Sequence, residues 1–235
     1  LARSRSQSRL LELILSCFLQ FKFMAIAYRK QIDDDTEFAL WRIEEDAEDL
    51  YAQLQLNDEE KAFVEQLRHG KRHLHWLGTR VLLRAMLQTD EYIDCKVDAH
   101  GKPYLVNLPY HISLSHSFEF AAVMISTRPV GIDIEQIRQK VERIAPKFMN
   151  PDELIAVSNE EHTVEALYAY WCAKEAVYKC YGQKEVSFVH NISLQPFGYK
   201  PEGAILAKLH KGAVQLDYKV NYFRYEDYMV GYVKR

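Results

Sequence analysis

Cysteine is scarce in this chain: four residues in 235, with no C-x-x-C pair among them. That density and spacing exclude a disulfide-framed secreted scaffold. On one helix, Cys172 and Cys180 would stand about 12 Å apart at 1.5 Å per residue, too far to bridge. The thiols therefore read as free, in a reducing cytoplasm. Excess charge is lacking too. Thirty basic and 33 acidic residues leave a net charge of −3, which implies no global pull toward nucleic acid or an anionic membrane. Any basic function must be local. No apolar run reaches bilayer-spanning length. The nearest, Leu10 to Leu19, follows three arginines (Arg3, Arg5, Arg9) and imitates a signal peptide, but Glu12 interrupts it and Phe21-Lys22-Phe23 offers no small-residue cleavage site. The first residue is not Met, and strand-like alternation begins after Met24. Residues 1–23 are thus expected to be an upstream extension, with folding starting near Met24. A strict internal repeat, a low-complexity linker and a G-x-S-x-G nucleophile elbow are also missing.

What remains is an ordinary globular composition, 48% apolar, 12% aromatic and 27% charged, long enough for one large domain or two small ones. Strands are predicted over Ala25 to Ile32 and Glu37 to Ile43, around the acidic turn Asp33-Asp34-Asp35. Helices are predicted over Glu44 to Gln53, Asp58 to Leu67 (capped by Asn57) and Arg72 to Leu87. The turn at Gly101-Lys102-Pro103-Tyr104 leads to a short strand, then His111 to Ser117 and the apolar strand Phe120 to Ser126. Ser115, His116 and Ser117 are placed where one strand turns into the next. Further on come a strand from Val130 to Glu135, helical pieces over Val141 to Phe148 and Pro151 to Ser158, and a long helix from about Glu160 to Tyr181, stopped by Gly182. Short strands follow: Ser187 to Leu194, Ala204 to His210, Ala213 to Tyr225 and Tyr228 to Lys234. The pattern is α+β: two subdomains, 24–128 and 129–235, each a long helix with a small sheet.

Val130 to Lys179 carries the chemistry. In a strand, Val130-Gly131-Ile132-Asp133-Ile134-Glu135 puts Asp133 and Glu135 on one face. In a helix, Trp171, Glu175 and Lys179 fall at i, i+4 and i+8 on one side. If strand and helix pack together, three carboxylates and an ammonium converge, a plausible site for a hard cation bound to phosphate. Each piece alone has a bland reading: a solvated strand face, an exposed i,i+4 ion pair, a core tryptophan, a hydrogen-bonded turn at Ser115-His116-Ser117. The run Arg68-His69-Gly70-Lys71-Arg72-His73, continued by Arg80 and Arg84, opposes the dipole at a helix start unless an anion offsets it. A solvated basic face is the alternative.

Taken together, Gly101-Lys102-Pro103, Ser113-Leu114-Ser115-His116-Ser117, Gly131-Ile132-Asp133-Ile134-Glu135 and Trp171-Cys172-Ala173-Lys174-Glu175-Ala176-Val177-Tyr178-Lys179 resemble the 4′-phosphopantetheinyl transferase superfamily. A whole β-containing half precedes the Gly-Ile-Asp motif, which is similar to the longer Sfp-type enzymes. That resemblance implies two similar subdomains related by pseudo-twofold symmetry, with a long helix on a small, mostly antiparallel sheet in each. It implies transfer of the phosphopantetheine arm of coenzyme A to a serine of an apo acyl or peptidyl carrier protein, releasing adenosine 3′,5′-bisphosphate. Asp133, Glu135 and Glu175 match its magnesium positions, with manganese a possible substitute. Glu175 and Lys179 match its proton-handling residues, with Trp171 packed beside them. Arg84, Lys102, Ser115 and His116 match cofactor-phosphate positions; Arg80, Lys71, Arg72 and Lys174 are looser matches. A cytoplasmic monomer without nucleic-acid or membrane partners is expected. Two other functions stay open: a non-catalytic coenzyme A-binding module of the same fold, and a carrier-docking partner using apolar residues around Phe148, Met149 and Phe188, with core packing the equal alternative for those residues.

Overall fold

The computed structural model describes residues 26–67 and 71–235. The expectations for 1–23, for Met24 and Ala25, for Cys17 and for Arg68-His69-Gly70 lie outside those residues. The first half of the chain supplies β1 (Ile26–Asp33), β2 (Thr36–Arg42), α1 (Ala47–Ala52), α2 (Asp58–Gln66), α3 (Lys71–Leu87), β3 (Cys95–Val97), β4 (Pro103–Leu105), β5 (His111–Ser117) and β6 (Phe120–Ser126). The second supplies β7 (Val130–Gln136), α4 (Val141–Ile144), α5 (Pro151–Val157), α6 (Thr163–Tyr181), β8 (Ile192–Leu194), β9 (Glu202–Lys211), β10 (Val214–Tyr225) and β11 (Tyr228–Lys234). Strands β1-β2-β6-β5 form one antiparallel sheet and β7-β11-β10-β9-β8 another, while β3 and β4 make a separate hairpin.

Strand periodicity explains the layering. Alternate residues of β2 and β6 face opposite ways. Ala39, Trp41, Ala121, Val123 and Ile125 pack with Leu77, Val81 and Leu82 of α3. Their neighbours Phe38, Leu40, Phe120, Ala122 and Met124 meet Val130, Ile132 and Ile134 of β7 and Val230 and Tyr232 of β11. The order is therefore helix, sheet, sheet, helix, with an apolar core in each gap, which is why β6 is buried along its whole length. Helix α6 is apolar nearly all round because the second sheet covers one side while Val141, Phe148 and Val157 cover another. The expected α+β architecture of two sheet-and-helix units is thus observed.

Several element boundaries differ. The predicted helix over Val141 to Phe148 is a single turn, α4, followed by a 3₁₀ turn over Ala145–Lys147; Pro146 has no N–H to carry an α-helical ladder. Of the predicted strand Ser187 to Leu194 only β8 remains extended, since Asn191 accepts from the Ser187 N–H (2.7 Å) and closes a turn. Phe148 and Met149 are core residues, each 1% exposed. They offer no docking surface, which corrects that expectation.

Candidate active site

Because Ile132 and Ile134 face the sheet–sheet core, Asp133 and Glu135 must face α6. Gly131 permits the approach: a Cβ there would sit on the Ala176 carbonyl oxygen and 2.8 Å from the Cys180 nitrogen. The spacing within α6 then brings Lys179 to Asp133. The Lys179 ammonium donates to Asp133 Oδ1 (2.7 Å), to Ser115 Oγ (2.9 Å) and to the Ile132 carbonyl (3.0 Å). Lys179 is therefore not an exposed partner of Glu175; it ties α6 to both sheets. Burial, then the nearby Asp133, push the Glu175 carboxyl up to about 7, with Lys179 opposing and Glu135 adding to the rise. Burial and Asp133 also raise Glu135, while Ser117, Trp171 and Lys179 pull it down.

The Ser-Leu-Ser-His-Ser motif is strand, not turn. All of it lies within β5, and the turn falls at Phe118-Glu119. Its alternation sends Ser113, Ser115 and Ser117 across to the edge of β7. There Ser113 Oγ accepts from the Ile132 N–H (3.0 Å), Ser115 Oγ from Ile134 (3.3 Å) and Ser117 Oγ from Gln136 (3.1 Å). The two strand edges run side by side, with hydroxyls standing where backbone carbonyls would in an ordinary ladder. Two of these hydroxyls also donate: Ser115 to Asp133 Oδ1 (2.7 Å) and Ser117 to Glu135 Oε2 (3.0 Å). Ser115 is buried with its hydrogen-bonding capacity filled by the protein. The expectation that it touches the cofactor is corrected to one of holding Asp133 and Lys179.

Basic groups gather on one flank. The His116 ring stacks on His75 (centroids 4.2 Å apart), and His75 Nε2 donates to the Phe118 carbonyl at 2.5 Å. Phe118 takes a left-handed backbone (φ 50°), uncommon for such a residue. Its ring meets Lys71 (5.0 Å) and Arg138 (3.7 Å) from opposite halves of the chain. Lys71, His75 and Phe118 border a recess of about 510 Å³. Burial foremost, then the adjoining His75 and Lys179, push His116 down to about 4. Sequence reasoning missed His75, Phe118 and Arg138. His75 reads as core on an apolar helix, and Phe118 and Arg138 stand in connections without a pattern of their own.

Helix geometry separates the other expected arginines from this flank. At about 100° per residue, Arg80 and Arg84 lie roughly 140° and 180° around α3 from His75. They border a different recess with Leu56, Glu60 and Cys95, and Arg84 donates to the Glu91 carbonyl (3.1 Å). Both arginines therefore lie away from the flank at His75 and His116. Lys174 is corrected: fully buried, it gives its three protons to Glu153 Oε2 (2.7 Å) and the carbonyls of Phe188 (2.8 Å) and Ile192 (2.7 Å). Lys102 donates to the Lys179 carbonyl (2.6 Å) and more weakly to that of Cys180, at the C-terminal end of α6, and to that of Val130 at the start of β7. It staples that end rather than reaching outward, so its phosphate-holding role is not the arrangement seen. Lys102, Pro103, Ser113, Tyr178, Lys179 and Gly182 line a cleft of about 600 Å³ between the two halves.

Among the described residues no three His, Cys, Asp or Glu side chains converge tightly enough to hold a metal ion as they stand. The donor chemistry nevertheless fits a hard cation. Asp133 Oδ2 is buried with no hydrogen-bond partner, and burial first, then the charge of Asp133, raises both Glu175 and Glu135, so a bound cation would relieve carboxylates held together away from water. No helix of the described residues is long and apolar enough to cross a membrane.

Two sheet-and-helix halves thus bring carboxylates and an ammonium to their seam, with a basic flank beside it. Residues 129–233 match the family model described as the 4′-phosphopantetheinyl transferase superfamily. The 4′-phosphopantetheinyl transferase gsp of Aneurinibacillus migulanus is 29% identical over 132 residues, 54% of this chain and 55% of that protein. The 4′-phosphopantetheinyl transferase Sfp of Bacillus subtilis (strain 168) is 30% identical over 112 residues, 44% and 50% respectively. The chain spans about half the length of the curated relatives it matches. A crystal structure of Thermotoga maritima holo-[acyl-carrier-protein] synthase is similar with a TM-score of 0.36 and 20% identity, over 46% of this chain and 64% of that one.

Proposed function

We propose that this protein is a holo-carrier-protein synthase: it transfers the 4′-phosphopantetheine arm of coenzyme A to a serine of an apo acyl or peptidyl carrier protein. The observation that carries the reading is the meeting of β5, β7 and α6, where Lys179 touches Asp133 beside Glu135 and Glu175. In the reaction the carrier serine oxygen bonds to the β-phosphorus, the bond to the adenosine 3′,5′-bisphosphate breaks, and the serine proton goes to Glu175, directly or through a water. Lys179 holds Asp133 in place and sets positive charge at the seam. Lys71, His116 and Arg138 meet the cofactor phosphates, and the cleft at Lys102 and Tyr178 takes the pantetheine arm. Asp133, Glu135 and Glu175 would hold magnesium, which when bound would draw charge from the pyrophosphate and the leaving phosphate. Positioning and charge stabilisation supply most of the rate. Both halves of the site lie in one chain, which supports a monomer. The unpaired thiols Cys95, Cys172 and Cys180 support a reducing, cytoplasmic setting.

The test is the intact mass of apo carrier proteins after incubation with coenzyme A and magnesium. The wild type adds the phosphopantetheine mass. Glu175→Ala and Asp133→Ala slow that gain by about 10²–10⁴-fold, and a chelator stops it. A folded wild type that leaves every carrier unmodified overturns the proposal; coenzyme A binding indifferent to magnesium would instead mark a binding module.

A further inference from the structure

We infer that Ser115 and Ser117 are positioning residues that fix the two β7 carboxylates from the opposite sheet; this rests on the metal role proposed above for Asp133 and Glu135. The same device occurs twice. Each hydroxyl accepts a backbone N–H from β7, Ile134 for Ser115 and Gln136 for Ser117, and donates to the carboxylate one residue earlier. A hydroxyl has one proton, and an N–H can only donate. Occupation of the oxygen by the N–H therefore directs the proton to the carboxylate. Each serine closes a small ring through one β7 peptide unit, locking the acid's side chain to its own strand and to β5 together. Ser113 makes the first half of this arrangement alone. It accepts from Ile132 N–H, but Gly131 stands where the acid would be.

The geometry of the acidic cluster is accordingly a property of the seam between the sheets, not of β7 alone. Groups that orient metal ligands in this way typically govern affinity 10–100-fold when removed. Ser113 provides an internal control, since losing its hydroxyl frees one β7 N–H without releasing a carboxylate.

The experiment is a manganese titration of the full chain with coenzyme A present, followed by the paramagnetic signal of free manganese, with thermal melting in parallel. Ser113→Ala, Ser115→Ala and Ser117→Ala are each expected to lower the melting temperature. Only the last two should weaken manganese binding, by about 10-fold or more, and Ser117→Thr, which keeps the hydroxyl, should restore it. Ser117→Cys, with similar volume and a weak donor, should behave like Ser117→Ala and serves if the alanine variant does not fold. Manganese affinity unchanged in Ser115→Ala and Ser117→Ala, or lowered equally in Ser113→Ala, overturns the inference. A wild type that takes up no manganese overturns the metal reading on which it rests.

Discussion

Neighbouring side chains on one face of α6 answer to different surroundings. Lys179 is fixed by three acceptors, whereas Glu175, a turn earlier, is defined by burial and by the acids it faces. His116 makes a third case. Part of it is exposed, yet burial of the ring foremost, then its neighbours His75 and Lys179, lower its pKa from about 6.5 to about 4. The fold thus favours the neutral imidazole. The stability this contributes is present above about pH 6.5, where the unfolded chain's histidine is also neutral, and is lost as pH falls toward 4. Melting curves at pH 7 and pH 5 should show a larger drop for the wild type than for His116→Gln, modest in size because the ring is partly solvated. Equal drops would show that the stacked pair does not resist protonation. In the sequence only the identity of His116 was legible. Its stacking partner sits 41 positions earlier on a helix whose pattern otherwise signals core.

Among the elements, β7 and α6 depend most on what a residue lacks. The Gly-Ile-Asp motif was legible as a strand with acids on one face, and the 4-residue spacing in α6 as one functional side. The reason for the glycine was not, because it lies in a close approach between elements 45 residues apart. A Cβ at Gly131 meets the backbone of Ala176 and Cys180, which cannot swing aside as a flexible side chain can. Gly131→Ala must therefore lift α6 from β7, costing about 1–3 kcal/mol and drawing Glu175 and Lys179 away from Asp133. Gly198→Ala is the comparison, since a Cβ there meets nothing within 4 Å. Melting temperature and carrier modification should both fall in the first and neither in the second; an active, stable Gly131→Ala protein would contradict the packing described. Lys174 illustrates the converse limit. One turn of helical spacing cannot tell an ammonium held toward a ligand from one spent on Glu153 and two carbonyls in the core.

At the scale of the whole molecule, the class of architecture was legible, since each half alternates strands around one long helix. How the halves meet was not. Single-strand periodicity marks two buried faces on β6 but does not say what covers the second. The structure shows a sheet-to-sheet core, with ties at its rim: Tyr225 Oη donates to the Ala27 carbonyl (3.1 Å), and Lys234 pairs with Asp33 and Asp35. Phe38 lies at the centre of that core, fully buried, its ring 4.7 Å from Tyr232 and 5.9 Å from Phe223. Since both sheets rest on it, Phe38→Ala should cost about 3–5 kcal/mol and destabilise both halves together. Hydrogen exchange followed by mass spectrometry across a denaturant series resolves this, because β2 and β11 report on different sheets. In the wild type and in Phe38→Ala the two should lose protection at the same denaturant concentration, lower in the variant. If β11 stayed protected while β2 exchanged, the halves would be independent folding units, and the acidic site, built from both, would be lost before the C-terminal half unfolds.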